Sequence, residues 1–280
     1  MTPKTPNVFE RANWRDDRML LDDLVFRLEH YKSTTWSGEE HFMFYKIKSL
    51  VEEYKIYFQR RPEFHPQQVL ELGIFDGGSI AFWHELFQPR KHVALDLTDR
   101  EDSPYFQKYK KTRQLEDRIK TFWRTNQADK PRLSTIVQTE FTGPIDLVID
   151  DASHLYEPTL ATFEAVFPLM PPGGIYIIED WAWGHWREFH EPTHPWARET
   201  PPTKLVTELI EAVGTSNKIV AQVSVHTGFI AVERGPELLN ESSSFSLKNL
   251  IVRRPVQAQS SRLKDRLINR FPRKLGFLRS

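Results

Sequence analysis

Cysteine is absent from the 280-residue sequence. Its absence excludes disulfide bonds, thiolate metal sites and cysteine nucleophiles at the same time. No apolar run approaches the roughly 18 residues that a membrane-spanning helix needs. The opening residues, MTPKTPNVFERANWRDD, also lack the apolar stretch of a secretory signal. The sequence therefore predicts a cytoplasmic protein without a transmembrane segment.

A net charge is absent as well, because 38 Lys and Arg balance 38 Asp and Glu. The balance is uneven, since residues 253–280 contain nine basic residues and one acid. We interpret residues 236–280 as a flexible basic tail, whose Leu and Arg/Lys pattern is compatible with weak contact to an anionic membrane. No aromatic nucleic-acid motif accompanies the tail, so nucleic acid is not an expected partner.

Apolar periodicity divides the remaining sequence into two parts. Residues 17–58 have helical spacing and predict a helical extension or cap over residues 1–64. From residue 67, short apolar runs alternate with helical stretches, and the last two runs flank Thr227-Gly228 like a hairpin. This alternation predicts an α/β domain over residues 65–235, with a mostly parallel, Rossmann-like sheet that ends in an antiparallel hairpin.

The stretch ELGIFDGGS, residues 71–79, follows the first predicted strand and opens a helix. Glycines let a backbone approach a ligand closely, and a helix N-terminus offers free amides, although a purely structural turn is the alternative. Asp96 ends the next strand, 18 residues after Gly78, where a carboxylate can accept ribose hydroxyls. The turn has no lysine for phosphates, and Glu71 precedes it. These features favour S-adenosylmethionine, which carries an ammonium and a sulfonium but no phosphate.

Two pairs of acids follow two later strands. Asp150 and Asp151 end one strand, and Glu179 and Asp180 end the next, 28 residues further on. One right-handed crossover brings such strand ends to the same edge of a sheet, where a divalent cation would neutralise the acids. Oxygen ligands favour Mg²⁺, with Mn²⁺ as a substitute, whereas helix caps or arginine pairs are the alternative. His154, three residues after Asp151, is a candidate general base.

Six stretches together resemble a known family. They are EEHFMFYKIKSLVEEY, VLELGIFDGGSIAFW, HVALDL, TNQAD, DLVIDDASH and GGIYIIEDW, within residues 35–185. They are similar, in this order, to the metal-dependent and S-adenosylmethionine-dependent O-methyltransferases that tailor macrolide sugars (mycinamicin and tylosin type). The cephalosporin-hydroxylase-like branch has similar glycine turns. The resemblance implies a class I methyltransferase fold with a seven-stranded sheet.

The resemblance also implies roles for individual residues. Asp151, Glu179 and Asp180 would hold Mg²⁺, and His154 would be the catalytic base, with Asp151 as the alternative base. The residues expected around the cofactor are Glu71, Gly73, Gly77, Gly78, Ser79, Asp96, Gln127, Asp129 and Asp150.

A tryptophan-rich segment, residues 179–202, follows the second acid pair. Indole faces suit sugars or flat aglycones, so the acceptor candidates are Trp181, Trp183, Trp186 and, from the N-terminal part, His41. Packing of the segment onto the domain is the alternative.

Together with the resemblance, the sequence predicts a homo-oligomeric O-methyltransferase that acts on a sugar hydroxyl or a glycosylated natural product. A small-phenol or catechol O-methyltransferase and a non-catalytic nucleoside-binding protein are the alternatives.

Overall fold

Strands and helices alternate along most of the chain. The computed structural model describes residues 8–28, 40–239 and 245–254. The strands are β1 Ala12–Arg15, β2 Arg18–Leu21, β3 Leu24–Arg27, β4 Phe42–Met43, β5 Gln68–Leu72, β6 Lys91–Leu95, β7 Ile119–Phe122, β8 Leu147–Asp150, β9 Ile175–Glu179, β10 Val220–Val225 and β11 Phe229–Arg234. The α-helices are α1 Val8–Arg11, α2 Lys48–Gln59, α3 Gly78–Phe87, α4 Pro104–Arg113, α5 Lys130–Glu140, α6 Tyr156–Val166 and α7 Thr203–Ser216.

The central sheet has seven strands in the order β10-β11-β9-β8-β5-β6-β7. Strands β5 to β9 pair in parallel, whereas β11 pairs antiparallel with both β9 and β10. The chain order reverses between β5 and β8, and ligands of open α/β sheets bind in the crevice outside such a switch point. The predicted fold class, a Rossmann-like sheet with a terminal antiparallel hairpin, is confirmed.

Both faces of this sheet are buried under apolar side chains. Neighbouring side chains of a strand point to opposite faces, so each strand contributes to both clusters. In β5, Val69 belongs to the apolar cluster that includes Tyr54 and Trp83, whereas Leu70 belongs to the cluster around Phe163. Trp83 and Tyr54 are fully buried. Each such aromatic side chain stabilises the fold by roughly 1.5–3 kcal/mol through the apolar surface that it removes from water.

The N-terminal part differs from the predicted helix. Residues 18–27 form the hairpin β2-β3 of a four-stranded sheet, and α2 is the one helix in the described part of the segment expected to be helical, residues 17–28 and 40–58. The prediction was wrong because the apolar residues also fit a period of two: Met19, Leu21, Leu24 and Phe26 are buried, and the residues between them are less so. This small sheet packs into the same cluster as the central sheet. The boundaries at 64/65 and 235/236 stay predictions.

Residues 245–254 of the predicted flexible tail pack against the domain. Leu247 begins a short 3₁₀ turn and is buried, and Arg253 pairs with Glu211 of α7 at 2.6 Å. Its apolar side chains therefore extend the core under α7, which the prediction missed. The amphipathic stretch of the tail, within residues 255–280, lies outside the described residues. Among the described helices, none has the length and apolar character to cross a membrane.

Candidate active site

The ends of three parallel strands lie level at one edge of the sheet. Leu72 of β5 is in register with Asp150 of β8, which is in register with Ile178 of β9. The glycine turn after β5 and the two acid pairs after β8 and β9 therefore meet at the switch point. The predicted meeting of these segments is confirmed.

The glycines of the turn are required by packing alone. Gly73 has φ +99°, and a Cβ there would lie 2.2 Å from the carbonyl oxygen of Asp151. Gly77 has φ +82°, and its Cβ would lie 2.5 Å from the ring of Phe106, while a Cβ on Gly78 would lie 2.7 Å from the carbonyl of Met43. The turn thus fits closely between the acidic loop, α4 and the N-terminal sheet.

Asp96 anchors this turn to β6. Its Oδ2 accepts hydrogen bonds from the amides of Ile74 and Phe75 at 2.8 and 3.0 Å. Its Oδ1 accepts from the amide and hydroxyl of Thr98 at 2.8 and 2.7 Å. Four donors occupy the lone pairs of the carboxylate. A ribose hydroxyl would therefore have to replace one of them, which the sequence did not indicate.

Glu71 and Ser79 lie beneath the turn and contact each other. Glu71 is fully buried, and its Oε2 lies 3.0 Å from Nε2 of His92. The hydroxyl of Ser79 donates to its other oxygen. Burial of a carboxylate is costly unless its oxygens are hydrogen-bonded, and here both oxygens have partners. Glu71 is thus held inside the domain rather than presented to solvent.

Gln127 and Asp150 form a buried connection on the other side of the sheet. The amide nitrogen of Gln127 donates to Asp150 Oδ1 at 3.1 Å, and its oxygen accepts from the amide of Ser153 at 3.0 Å. The hydroxyl of Tyr176 donates to Asp150 Oδ2 at 3.0 Å. Burial raises the pKa of Asp150 to about 7. Asp129, also predicted around the cofactor, instead caps α5 by accepting from the amide of its third residue. All three predicted residues therefore have structural partners here.

Asp151, His154 and Asp180 come together in one cluster. Each offers an atom that could ligate a metal ion, and these atoms lie within 4.8 Å of one another. His154 Nε2 is 3.9 Å from Asp151 Oδ1. Nδ1 of His154 is buried and has no hydrogen-bond partner among the described residues. Two carboxylates and an imidazole with one unpaired nitrogen could together bind a divalent cation or hydrogen-bond to a polar acceptor.

Two members of the cluster have a strained backbone. His154 has φ +53° and Asp180 has φ +48°. A non-glycine residue in the left-handed region costs roughly 1–2 kcal/mol, and such strain concentrates at functional sites. The conformation of His154 is held by Trp183, whose indole N–H donates to the carbonyl of His154 at 2.7 Å. The amide of Asp180 donates to the carbonyl of Gly228 at 3.1 Å.

Glu179 lies beside the cluster and faces the N-terminal part of the chain. Its Oε1 accepts from Lys46 Nζ at 2.5 Å and from the hydroxyl of Tyr54 at 2.8 Å. Lys46 also donates to Asp151 Oδ2 at 2.9 Å. Tyr54 belongs to the helical apolar spacing within residues 17–58 but was not predicted as a site residue, and Lys46 was not predicted at all. Lys46 lies between β4 and α2, outside the helix, so helical spacing could not have indicated its place.

The charges of this region shift each other's ionisation. Burial, together with the charge of Asp151, raises the pKa of Glu179 to about 8 and also raises the pKa of Asp180. Burial alone would lower the pKa of Lys46, but Asp151 and Glu179 raise it above its ordinary value. Lys46 therefore does not neutralise the acids completely. This deficit, and the oxygen-rich donor set, fit a divalent cation.

The tryptophan-rich segment folds over His154. Trp183 is buried, and the ring of Trp196 lies 5.0 Å from it and 6.1 Å from the ring of His154. Trp186 is 41% exposed, whereas the indole of Trp181 donates to a backbone carbonyl at the β10-β11 turn at 2.9 Å. Trp181 and Trp183 thus fix the segment. Trp196, the fourth tryptophan of the predicted segment, is the indole beside the histidine.

The remaining acceptor candidate is His41. It directly precedes β4 and is half-buried. Its short strand is tied to the glycine turn, because the amide of Met43 donates to Asp76 Oδ2 at 2.8 Å. A place for His41 at the acceptor mouth stays a prediction.

The comparisons with known proteins agree with this geometry. Residues 70–181 match the family described as a methyltransferase domain. Demethylmacrocin O-methyltransferase of Streptomyces fradiae is 31% identical over 153 residues, which is 52% of this chain and 35% of that protein. Mycinamicin VI 2''-O-methyltransferase of Micromonospora griseorubida has the same identity and coverage. The chain spans about a third of the length of these curated relatives.

A solved methyltransferase structure is also similar to this chain. The MycE methyltransferase of the mycinamycin biosynthetic pathway, in complex with Mg, SAH and mycinamycin VI, is 28% identical, with a TM-score of 0.50. The similarity covers 65% of this chain and 49% of that one. The predicted resemblance to macrolide-sugar O-methyltransferases is confirmed, and residues 70–181 of this chain match the methyltransferase domain family.

Proposed function

We propose that this protein is an S-adenosylmethionine-dependent, Mg²⁺-dependent O-methyltransferase that methylates a hydroxyl of a sugar-bearing small molecule. The observation that carries the proposal is the cluster of Asp151, His154 and Asp180 at the switch point, in contact with the glycine turn. The similarity to two O-methyltransferases of macrolide sugars supports the acceptor class. The homo-oligomeric state and the cytoplasmic location stay predictions from the sequence.

The cofactor would lie across the glycine turn. The turn leaves the N-terminus of α3 facing the crevice, and it contains no lysine or arginine that could bind a phosphate. Asp96 would exchange one of its four hydrogen-bond donors for a ribose hydroxyl. Leu97, the next residue, is 67% exposed and offers an apolar contact for a base. Such a site favours a nucleoside whose other charges are cationic, as in S-adenosylmethionine.

Asp151 and Asp180 would hold Mg²⁺ together with Glu179. Glu179 would use its Oε2, since Lys46 and Tyr54 both donate to its Oε1. A bound Mg²⁺ would supply Lewis acidity and orient the oxygens of the acceptor. The raised pKa values of Glu179 and Asp180 support this assignment, because burial and mutual repulsion cause them and a divalent charge would remove the repulsion.

His154 would act as the general base. A sugar hydroxyl has a pKa far above neutrality and needs a base within hydrogen-bond reach. One oxygen of the alternative base, Asp151, already accepts a hydrogen bond from the ammonium of Lys46, so this oxygen is occupied before an acceptor binds. Trp183 fixes the carbonyl of His154, so the imidazole is held at the edge of the cluster.

The acceptor would lie between His154 and the tryptophan-rich segment. The indole of Trp196 lies beside the imidazole, and the exposed indole of Trp186 lies near it through Phe189. Indole faces pack well against the apolar face of a sugar ring. The same faces would stack a catechol, the acceptor of the alternative function.

The experiment is a methyl-transfer assay on the purified protein with S-adenosylmethionine and two matched panels, glycosylated macrolides and free catechols. We expect methylated glycosides, no activity after EDTA treatment, and recovery with Mg²⁺. Methylation of catechols alone would replace the sugar assignment. Cofactor binding without any turnover would favour a non-catalytic nucleoside-binding protein. Activity that ignores chelators would show that the acids are structural.

A further inference from the structure

A lysine from the N-terminal part of the chain lies inside the acid cluster. Lys46 is 2% exposed and lies between β4 and α2. Its ammonium is 2.9 Å from Asp151 Oδ2 and 2.5 Å from Glu179 Oε1. It thus joins the ends of β8 and β9 across 105 and 133 residues of sequence. A buried ammonium in this position must contribute to the electrostatics of everything that binds there.

The carboxyl groups around Lys46 determine how much positive charge the site can still accept. Three carboxyl groups, those of Asp151, Glu179 and Asp180, lie around the single ammonium of Lys46. The carboxyl groups outnumber the ammonium, so the site has room for the charge of a further cation. Glu71 is also near Lys46, but its oxygens already contact His92 and a serine hydroxyl.

We propose that Lys46 is a resident counter-cation of the site: it stabilises the carboxylates while no metal is bound, and it lowers the affinity for a divalent cation so that this cation exchanges readily. The first half concerns the metal-free protein alone, whereas the second half rests on the proposed Mg²⁺ dependence. Like charges a few ångström apart repel strongly in a buried site, so the ammonium opposes a second cation there. Breaking a buried ion pair leaves an uncompensated charge, so the ammonium also stabilises the fold.

The decisive variant is Lys46→Met, with Lys48→Met as its matched control. A methionine in place of Lys46 keeps most of the length and the apolar stem of the side chain but removes the charge. Lys48 is two residues away, at the start of α2, and is exposed. In EDTA we expect the Tm of Lys46→Met to fall by about 6–12 °C. Its affinity for Mn²⁺, measured by calorimetry without cofactor or acceptor, should rise at least about 10-fold. Lys48→Met should change neither quantity.

A second variant separates charge from packing. Lys46→Met combined with Glu179→Gln removes both members of the ion pair, so it should recover at least half of the Tm lost by Lys46→Met alone. If Lys46→Met is unfolded in EDTA, folding on addition of Mg²⁺ supports the proposal by the same reasoning.

Four results would count against it. An unchanged Tm of Lys46→Met in EDTA, or a double variant as unstable as the single one, would overturn the counter-cation role. A weaker Mn²⁺ affinity of Lys46→Met would show that the lysine orients ligands instead of opposing the metal. If the wild-type protein binds no Mn²⁺, the proposed metal dependence and the affinity half of the inference both fail. The Tm difference in EDTA still decides the role of Lys46 in that case.

Discussion

The carbonyl oxygen of Asp151 occupies the space that a side chain on Gly73 would need. A Cβ at Gly73 would lie 2.2 Å from that oxygen. The amide of Asp151 donates to the carbonyl of Leu72 at 2.9 Å, so the end of β5 and the acidic loop are joined next to the glycine. The turn expected at the cofactor and the acids expected at the metal are therefore one rigid unit.

Gly73→Ala should lower both stability and cofactor affinity. The added methyl group requires a backbone shift of the acidic loop, and φ +99° is unfavourable for alanine. We expect a loss of about 2–4 kcal/mol in the free energy of unfolding, measured by urea denaturation. Gly173→Ala is the control, because Gly173 has φ +80° but no atom within 4 Å of its Cβ. A Gly73 variant no less stable than this control would show that the contact with Asp151 is unimportant.

Asp96→Ala should weaken the binding of S-adenosylhomocysteine by about 1–3 kcal/mol, measured by calorimetry. The variant loses a charged acceptor and leaves the amides of Ile74 and Phe75 without their partner. Asp99→Ala is the control, since Asp99 is an exposed acid on the same loop that pairs with Arg124. It should change the affinity by less than about 0.5 kcal/mol. Equal effects of the two variants would remove Asp96 from the cofactor site.

His154→Asn should reduce kcat by about 10²–10⁴-fold, the usual contribution of a general base. Asparagine tolerates the left-handed conformation better than alanine, so the backbone at φ +53° is preserved. Mn²⁺ affinity should stay within about 3-fold if the histidine is a base, because the acids alone then hold the ion. A large loss of Mn²⁺ affinity would instead make His154 a metal ligand. The exposed His65, changed to asparagine, serves as the control.

His84 should make the protein sensitive to acid. Burial lowers the pKa of His84 to about 3, whereas the unfolded chain has its ordinary value of about 6.5. The folded state favours the neutral imidazole, so this stabilisation is present above about pH 6.5 and is lost as the pH falls toward 3. Between pH 7 and pH 4.5 the wild type should lose about 2–3 kcal/mol more than His84→Leu, measured by urea denaturation at both pH values. An equal loss in the two proteins would contradict this role, and His65→Leu should behave as the wild type.

The predictions from the sequence were most successful where an apolar pattern fitted only one type of secondary structure. The apolar runs that became β5, β6, β8 and β9 are short, continuous and separated by helical spacing, and the sheet follows from them. Residues 18–27 were misread because Leu20, Leu21, Leu24 and Val25 fit a helical stripe as well as two short strands. Local pattern cannot decide between these periods when the run is short, because the partner strand supplies the missing information.

The sequence by itself determined the order of the parallel strands of the central sheet, and with it the edge where the glycine turn, Asp151, Glu179 and Asp180 meet. It did so because parallel strands joined by right-handed crossovers end at one edge. Only the tertiary structure decided how each side chain is used. It saturates Asp96 with four donors, turns Glu71 inward, and places Lys46 between two acids. These contacts join residues far apart in the chain, and the burial and charge that govern them exist only once the chain is folded.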